Sequence, residues 1–241
     1  VLPDQGQYYN PDFLTPAGRV RKEGHVTDLT TAMAIEWLER ERDPSKPFLL
    51  MCQHKAPHRE WEPNIKDLGF DKDRVYPEPA TLFDDYADRA KAVAENDMTL
   101  EKTIVPLDVK LVRPPNLDAE QAAVWDAFYE PRNEAFRKAN PQGKDLVRWR
   151  YQRYMHDYLA TAKAVDDNVG RVLRRLDELG LRDNTIVVYF SDNGPNSWRW
   201  NDGMKGRKGT LGHKGFARCD EEGFVDKIHT TPANVGQSPR F

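Results

Sequence analysis

Thr185-Ile186-Val187-Val188-Tyr189-Phe190 runs without a break into Ser191-Asp192-Asn193-Gly194-Pro195. A short run of apolar and β-branched residues bounded by turn formers predicts a buried strand over 185–190. A carboxylate and an amide then stand at the strand's carboxyl end, where open α/β sheets hold their ligands. Two adjacent oxygen donors there suit a hard cation such as Ca2+. Asp-Asn-Gly also has a plainer reading as a turn, because Asn and Gly tolerate positive φ and often end strands.

Upstream, Pro47-Phe48-Leu49-Leu50-Met51-Cys52 predicts a second buried strand, leading into Gln53-His54-Lys55-Ala56-Pro57-His58. Before it, Thr27-Asp28 opens a helix whose apolar positions Leu29, Met33, Ile35, Trp37 and Leu38 define one face, and Asp43-Pro44 ends it. A longer helix is predicted from about Asp145 to Leu179. Its stripe of Tyr151, Tyr154, Tyr158, Ala162, Val165, Val169, Val172, Leu176 and Leu179 is expected in the core, and Gly180 is placed to stop it. Helix, strand, helix, strand is the signature of a mostly parallel sheet covered on both faces, a doubly wound α/β fold. From about Glu60 to Lys144 the chain is polar and rich in proline, and reads as an irregular insertion. One helix is expected within it, from Asp118 to about Tyr129, with Asp118 and Gln121 at capping-box spacing. Arg59, Trp61, Asp84, Asp85 and Arg89 in this region are candidates for sugar contact or plain surface residues.

Asp192-Asn193-Gly194-Pro195, followed by Met204-Lys205-Gly206-Arg207-Lys208-Gly209-Thr210 and preceded by Pro57-His58, resembles the sulfatase family of the alkaline phosphatase superfamily. The resemblance is nearest to glycan sulfatases of the N-acetylglucosamine-6-sulfatase type. It implies a mostly parallel doubly wound α/β sheet, incomplete here, and hydrolysis of sulfate monoesters. Asp192 and Asn193 would be Ca2+ ligands, Lys208 a sulfate-binding ammonium, and His58 the group that protonates the leaving oxygen. His54 and Lys55 match less specifically. Family habit also implies a periplasmic, secreted or lysosomal address.

The chain departs from the family pattern in two places. No Cys- or Ser-x-Pro-Ser-Arg, the source of the formylglycine nucleophile, occurs in the sequence. The paired Asp motif that completes the family's calcium site is missing too. With Val1 leading into a polar segment, the chain reads as an internal start, and formylglycine is expected upstream of it. Residues 1–210 thus read as part of a catalytic domain, inactive alone, with 60–144 irregular within it. Residues 211–241 form an atypical tail with no usable periodicity.

Two other readings stand beside this one. A phosphodiesterase or phosphonate hydrolase of the same superfamily would need further His and Asp metal ligands, and His is scarce after Asp192. A non-catalytic fragment would keep the pattern without the reaction. The 241 residues carry 36 basic and 39 acidic side chains, a formal charge of −3. That balance argues against a general nucleic-acid or anionic-membrane binder, and no apolar run reaches the length of a bilayer span. The expected partner is a sulfated small molecule or glycan. Cys52 and Cys219 make neither a disulfide framework nor a metal spacing.

Overall fold

The computed structural model describes residues 1–86, 91, 95 and 99–191, and the backbone of two further strands, His213–Cys219 and Val225–Pro232. Two units separate: Val1–Tyr76 with Val105–Asp183, and Pro77–Ile104 with Asn184–Phe241.

The first unit opens with a hairpin, β1 (Asp12–Thr15) antiparallel to β2 (Gly18–Arg21), in which Phe13 pairs with Val20. Thr15-Pro16-Ala17-Gly18 closes it. Pro presets φ, and Gly18 supplies φ +111 where a side chain would be strained. Alternation sends Phe13 into the core and leaves Leu14 half-exposed. Asn10, just before β1, takes φ +45 and ties three segments together. Its side chain donates to the Asn116 carbonyl at 2.8 Å and Gln121 Oε1 at 2.8 Å, and it accepts from the Gly24 amide at 2.8 Å.

Helix α1 (Val26–Glu36) runs into a five-residue π turn, Trp37–Glu41. Thr27 and Asp28 lie inside it, and its N-cap is His25, which makes no side-chain cap. Asp28 is instead a junction. It accepts from Asn64 at 2.8 Å, from Lys66 at 2.8 and 2.9 Å, and from Asn168 at 2.7 Å. Burial alone would raise its pKa, but the Lys66 and Asn168 hydrogen bonds and the Lys66 charge outweigh that and hold it low.

Helix α2 (Ala119–Ala139) starts at the expected capping box, with Asp118 accepting from the Gln121 amide at 2.8 Å and Gln121 accepting from the Asp118 amide at 3.1 Å. It continues ten residues past the expected end at Tyr129, through Pro131. Proline forfeits one helical hydrogen bond, yet the next turn is anchored: buried Asn133 donates to the Lys110 carbonyl at 2.8 Å and accepts from Arg153 at 3.0 Å. Trp125 and Tyr129 join Tyr8, Tyr9, Phe13, Val26, Ala56 and Val165 in the hydrophobic core. The stretch read as an insertion therefore supplies part of the core.

Helix α3 (Gly143–Glu178) spans 36 residues and stops at Leu179 and Gly180, the latter at φ +67. Its buried face keeps Val165 and Leu176 of the expected stripe and otherwise turns away from it. Tyr151, Tyr154 and Tyr158 are half-buried, whereas Arg153, Asp157, Ala160, Thr161, Ala164 and Asn168 are fully buried. Small residues explain the choice: Thr27, Thr31 and Ala34 of α1 and Ala160, Thr161 and Ala164 of α3 permit close approach of the two helices.

Neither predicted buried strand forms a ladder with the described residues. Residues 47–52 alternate in exposure as a strand would, with Phe48, Leu50 and Cys52 half-covered and Leu49 84% exposed, but they pair with nothing in the first unit. In the second unit, residues 186–190 enter no ladder with the described residues, and Ile186 is 86% exposed. A strand exists only where a neighbour accepts its backbone groups, and no described residue supplies that neighbour. The sheets among the described residues are two antiparallel pairs, β1–β2 and β3 (His213–Cys219) with β4 (Val225–Pro232), so the expected doubly wound parallel sheet is not among them. The β3–β4 pair lies in the tail where no periodicity was expected, and its register shifts at Arg218 and Cys219.

Exposed apolar segments such as 186–190 are templates for association. The 241-residue chain is expected to self-associate in size-exclusion chromatography with light scattering. A monodisperse, cooperatively melting monomer would contradict this.

Candidate active site

Of the four residues singled out from sequence, the structure places His58. Asp192, Asn193 and Lys208 lie outside the described residues, as does Arg89. His58 is exposed and stands on a strap, residues 55–64, whose backbone is tied down along its length. The His58 amide donates to the Lys55 carbonyl at 2.9 Å, and the Trp61 amide donates to the His58 carbonyl at 3.1 Å. Tyr8 Oη donates to that same His58 carbonyl at 2.6 Å, and Tyr9 Oη donates to the Pro63 carbonyl. His25 Nε2 donates to the Glu62 carbonyl at 3.1 Å. Trp61 takes φ +52 and is buried edge-on against Tyr154, with ring centroids 4.7 Å apart.

Beneath the strap lies a buried charge cluster. Arg59 forks onto Asp108, with Nε donating at 2.7 Å and Nη2 also donating. Asp108 accepts in addition from the Val105 amide at 2.9 Å. Lys110, 1% exposed, donates to the Glu60 carbonyl at 2.8 Å and the Asp108 carbonyl at 2.6 Å. Its ammonium lies 3.7 Å from Asp157 Oδ2, and Asp157 Oδ1 accepts from Tyr129 Oη at 2.7 Å. Arg59 and Trp61 are thus committed to holding the strap. Asp84 accepts from the Tyr86 amide at 2.9 Å in the second unit.

Desolvation sets the protonation states around His58. Burial pushes the Glu62 carboxyl up to about 7, against the pull of the Lys110 charge and with help from Glu60. Burial pushes His25 down to about 4, although its bond to the Glu62 carbonyl works the other way. Lys55, with Nζ 4.9 Å from the centroid of the Tyr8 ring, is lowered by burial against the charges of Glu62 and Glu60. His54 is lowered by burial too, and its Nε2 sits 3.7 Å from Cys52 Sγ.

His58 Nδ1 bonds the Arg59 carbonyl. A carbonyl only accepts, so Nδ1 carries the proton and Nε2 is the atom that can exchange one with a ligand. This arrangement can deliver or withdraw a single proton at the surface. Among the described residues no group of three or more His, Cys, Asp or Glu converges on a metal position. Sequence reasoning missed Tyr8, His25, Glu62, Asp108 and Lys110. Their roles arise from contacts between segments far apart in the chain, and no local pattern marks them.

The sulfatase family model matches residues 2–224. Over 207 residues the chain is 42% identical to an N-acetylglucosamine-6-O-sulfatase of Bacteroides thetaiotaomicron, covering 79% of this chain and 37% of that protein. An ulvan-active sulfatase of Formosa agariphila is 40% identical over 55 residues, 23% of this chain and 11% of that one. A solved structure of a protein in complex with its substrate D-glucosamine-2-N,6-O-disulfate superposes with a TM-score of 0.74 at 42% identity, covering 78% of this chain and 41% of its own. The chain therefore spans well under half the length of the curated relatives it matches.

His25 and Glu62 titrate in opposite senses. His25 has its folded pKa of about 4 below the ordinary 6.5, so its contribution to stability is present above about 6.5 and lost as pH falls toward 4. Glu62 has its folded pKa of about 7 above the ordinary 4.5, so its contribution is present below about 4.5 and lost as pH rises through 7. Between those limits the slopes, each at most ~1.4 kcal/mol per pH unit, oppose one another. In urea unfolding across that range, Glu62→Gln is expected to lose stability toward acid and His25→Asn toward neutrality. Parallel profiles for the two variants would contradict the assignment.

Proposed function

This chain belongs to the sulfatase family, and on that footing we propose that its protein hydrolyses sulfate monoesters carried by glycans, with the 6-O-sulfate of an N-acetylglucosamine unit as substrate. The observation that carries the reading is the strap: an exposed imidazole whose backbone is fixed by Tyr8 and whose Nδ1 is fixed by the Arg59 carbonyl. The relatives' names supply the substrate class.

Attack at sulfur breaks the S–O bond to the sugar, and the departing oxygen is a strong base that needs a proton. His58 as imidazolium gives that proton from Nε2, the sugar leaves as the alcohol, and the ring is left neutral. Held on a carbonyl through Nδ1, it turns little, so the proton is aimed before the ester arrives. Lys208 is proposed to place its ammonium against a sulfate oxygen. Asp192 and Asn193 are proposed as Ca2+ ligands, and a formylglycine hydrate, from a motif this chain does not carry, as the nucleophile. The ion would offset the sulfate's charge. The mostly parallel doubly wound sheet belongs to this proposal, since it would bring strand-end residues to one edge.

Leaving-group chemistry tests the role of His58. In the full-length protein, His58→Ala is expected to lower kcat on a sugar 6-sulfate by about 10²–10⁴-fold. On 4-nitrophenyl sulfate, whose phenolate leaves without a proton, the loss should be under about tenfold. Equal losses on the two esters, or retained activity on the sugar, would overturn it. Asp192→Ala should abolish turnover of both.

A further inference from the structure

Lys55 and His58 are the two ends of one tight turn. The His58 amide donates to the Lys55 carbonyl at 2.9 Å, and a four-residue turn brings its end Cα atoms within about 7 Å. Tyr8 supports both ends. Its hydroxyl donates to the His58 carbonyl at 2.6 Å, and the Lys55 ammonium lies 4.9 Å from the centroid of its ring. We propose that Lys55 is a further sulfate-contacting residue, placing its ammonium against an oxygen of the ester whose leaving group His58 protonates. This rests on the sulfatase reading of the same site.

Three cations stand at the strap, and two are committed within the fold. Arg59 forks onto Asp108, and Lys110 donates to the Glu60 and Asp108 carbonyls. Lys55 differs. It is half-buried, and among the described residues its ammonium makes no hydrogen bond and no ion pair. Glu62 and Glu60 act on it only through their charges, and burial outweighs them. The Glu62 carboxyl, pushed up to about 7 by its own burial, shares a hydrogen bond with Glu60, so near neutral pH the pair does not hold two full charges. A ring face attracts an ammonium but accepts none of its three N–H groups in the way an oxygen does. A sulfate oxygen offers both the acceptor and the charge. The sulfate carries that charge before and during attack at sulfur, so this contact holds ground state and transition state alike. Its loss appears in KM, and on every sulfate ester equally.

Lys55→Met in the full-length protein tests this, because Met keeps the apolar stem and packs well on the Tyr8 ring. Steady-state kinetics on a sugar 6-sulfate and on 4-nitrophenyl sulfate are paired with calorimetric titration of inorganic sulfate. In the variant KM is expected to rise at least about tenfold on both esters, with kcat within about threefold of wild type. Sulfate affinity should fall at least about tenfold. A purely structural Lys55 would act by displacing His58, and the loss would then fall on kcat and on the sugar ester alone. That pattern, or wild-type KM and sulfate affinity in the variant, would overturn the proposal. A wild type that turns over neither ester would sink the sulfatase reading by itself. The sulfate titration would still decide Lys55: weaker binding in the variant sustains the contact, and equal or absent binding overturns it.

Discussion

The Lys110 ammonium is 1% exposed, and the first unit is folded around the need to compensate it. A buried cation is tolerated only where carbonyls and a carboxylate replace its water. Those partners come from separate parts of the chain: Glu60 from the strap, Asp108 from its own turn and Asp157 from α3. Asn133 of α2 caps the Lys110 carbonyl in turn. Satisfying one charge therefore fixes the strap relative to both helices. The Arg59–Asp108 pair adds a second anchor on the same turn, and the strap reaches the surface at His58 with little freedom left.

The aromatic residues of the N-terminal segment complete that support. Tyr8 and Tyr9 are buried side by side beneath the strap and spend their hydroxyls on its carbonyls. Their rings pack against His25, at centroid distances of 5.6 and 5.2 Å, and Tyr9 packs edge-on against Trp125 at 5.9 Å. The proton-transfer group proposed for sulfate-ester cleavage is thus carried on a preorganised surface, which favours a reaction whose barrier depends on aiming a proton. The exposure of the 58 side chain against the burial of 61 and 62 divides the strap into a chemical tip and a structural root.

Local signals were legible in the sequence and long-range ones were not. The Asp118–Gln121 box and the Gly180 stop depend on residues within a few positions of one another, and each is found where its pattern puts it, whereas α1 starts at Val26, ahead of Thr27-Asp28, which lie inside the helix and do not cap it. The α2 end was misjudged because Pro131 is a local stop signal, overridden by Asn133 bonding to residues 20 or more positions away. The face of α3 was misjudged in part, for a related reason, although Val165 and Leu176 are buried as expected. Its tyrosines carry the apolar signal, but tight packing against α1 selects Ala160, Thr161 and Ala164, and the buried Arg153, Asp157 and Asn168 are polar residues whose partners lie on other elements. Residues 47–52 and 185–190 have strand composition, and composition cannot provide the neighbouring strand that would pair with them. In the candidate site the Pro-His pair pointed to His58, while the cluster that holds it, Lys110 above all, has no signature in the surrounding text.

Amide hydrogen exchange of Lys110→Met against the wild type, in the full-length protein, tests the central claim most directly. If the buried ammonium holds the strap, protection of the His58 and Trp61 amides, which bond the Lys55 and His58 carbonyls, falls by about ten- to a hundredfold, as for loss of ~1.4–2.7 kcal/mol of local stability. Protection in α1 should change far less. Unaltered exchange at His58 and Trp61 in the variant would contradict the account.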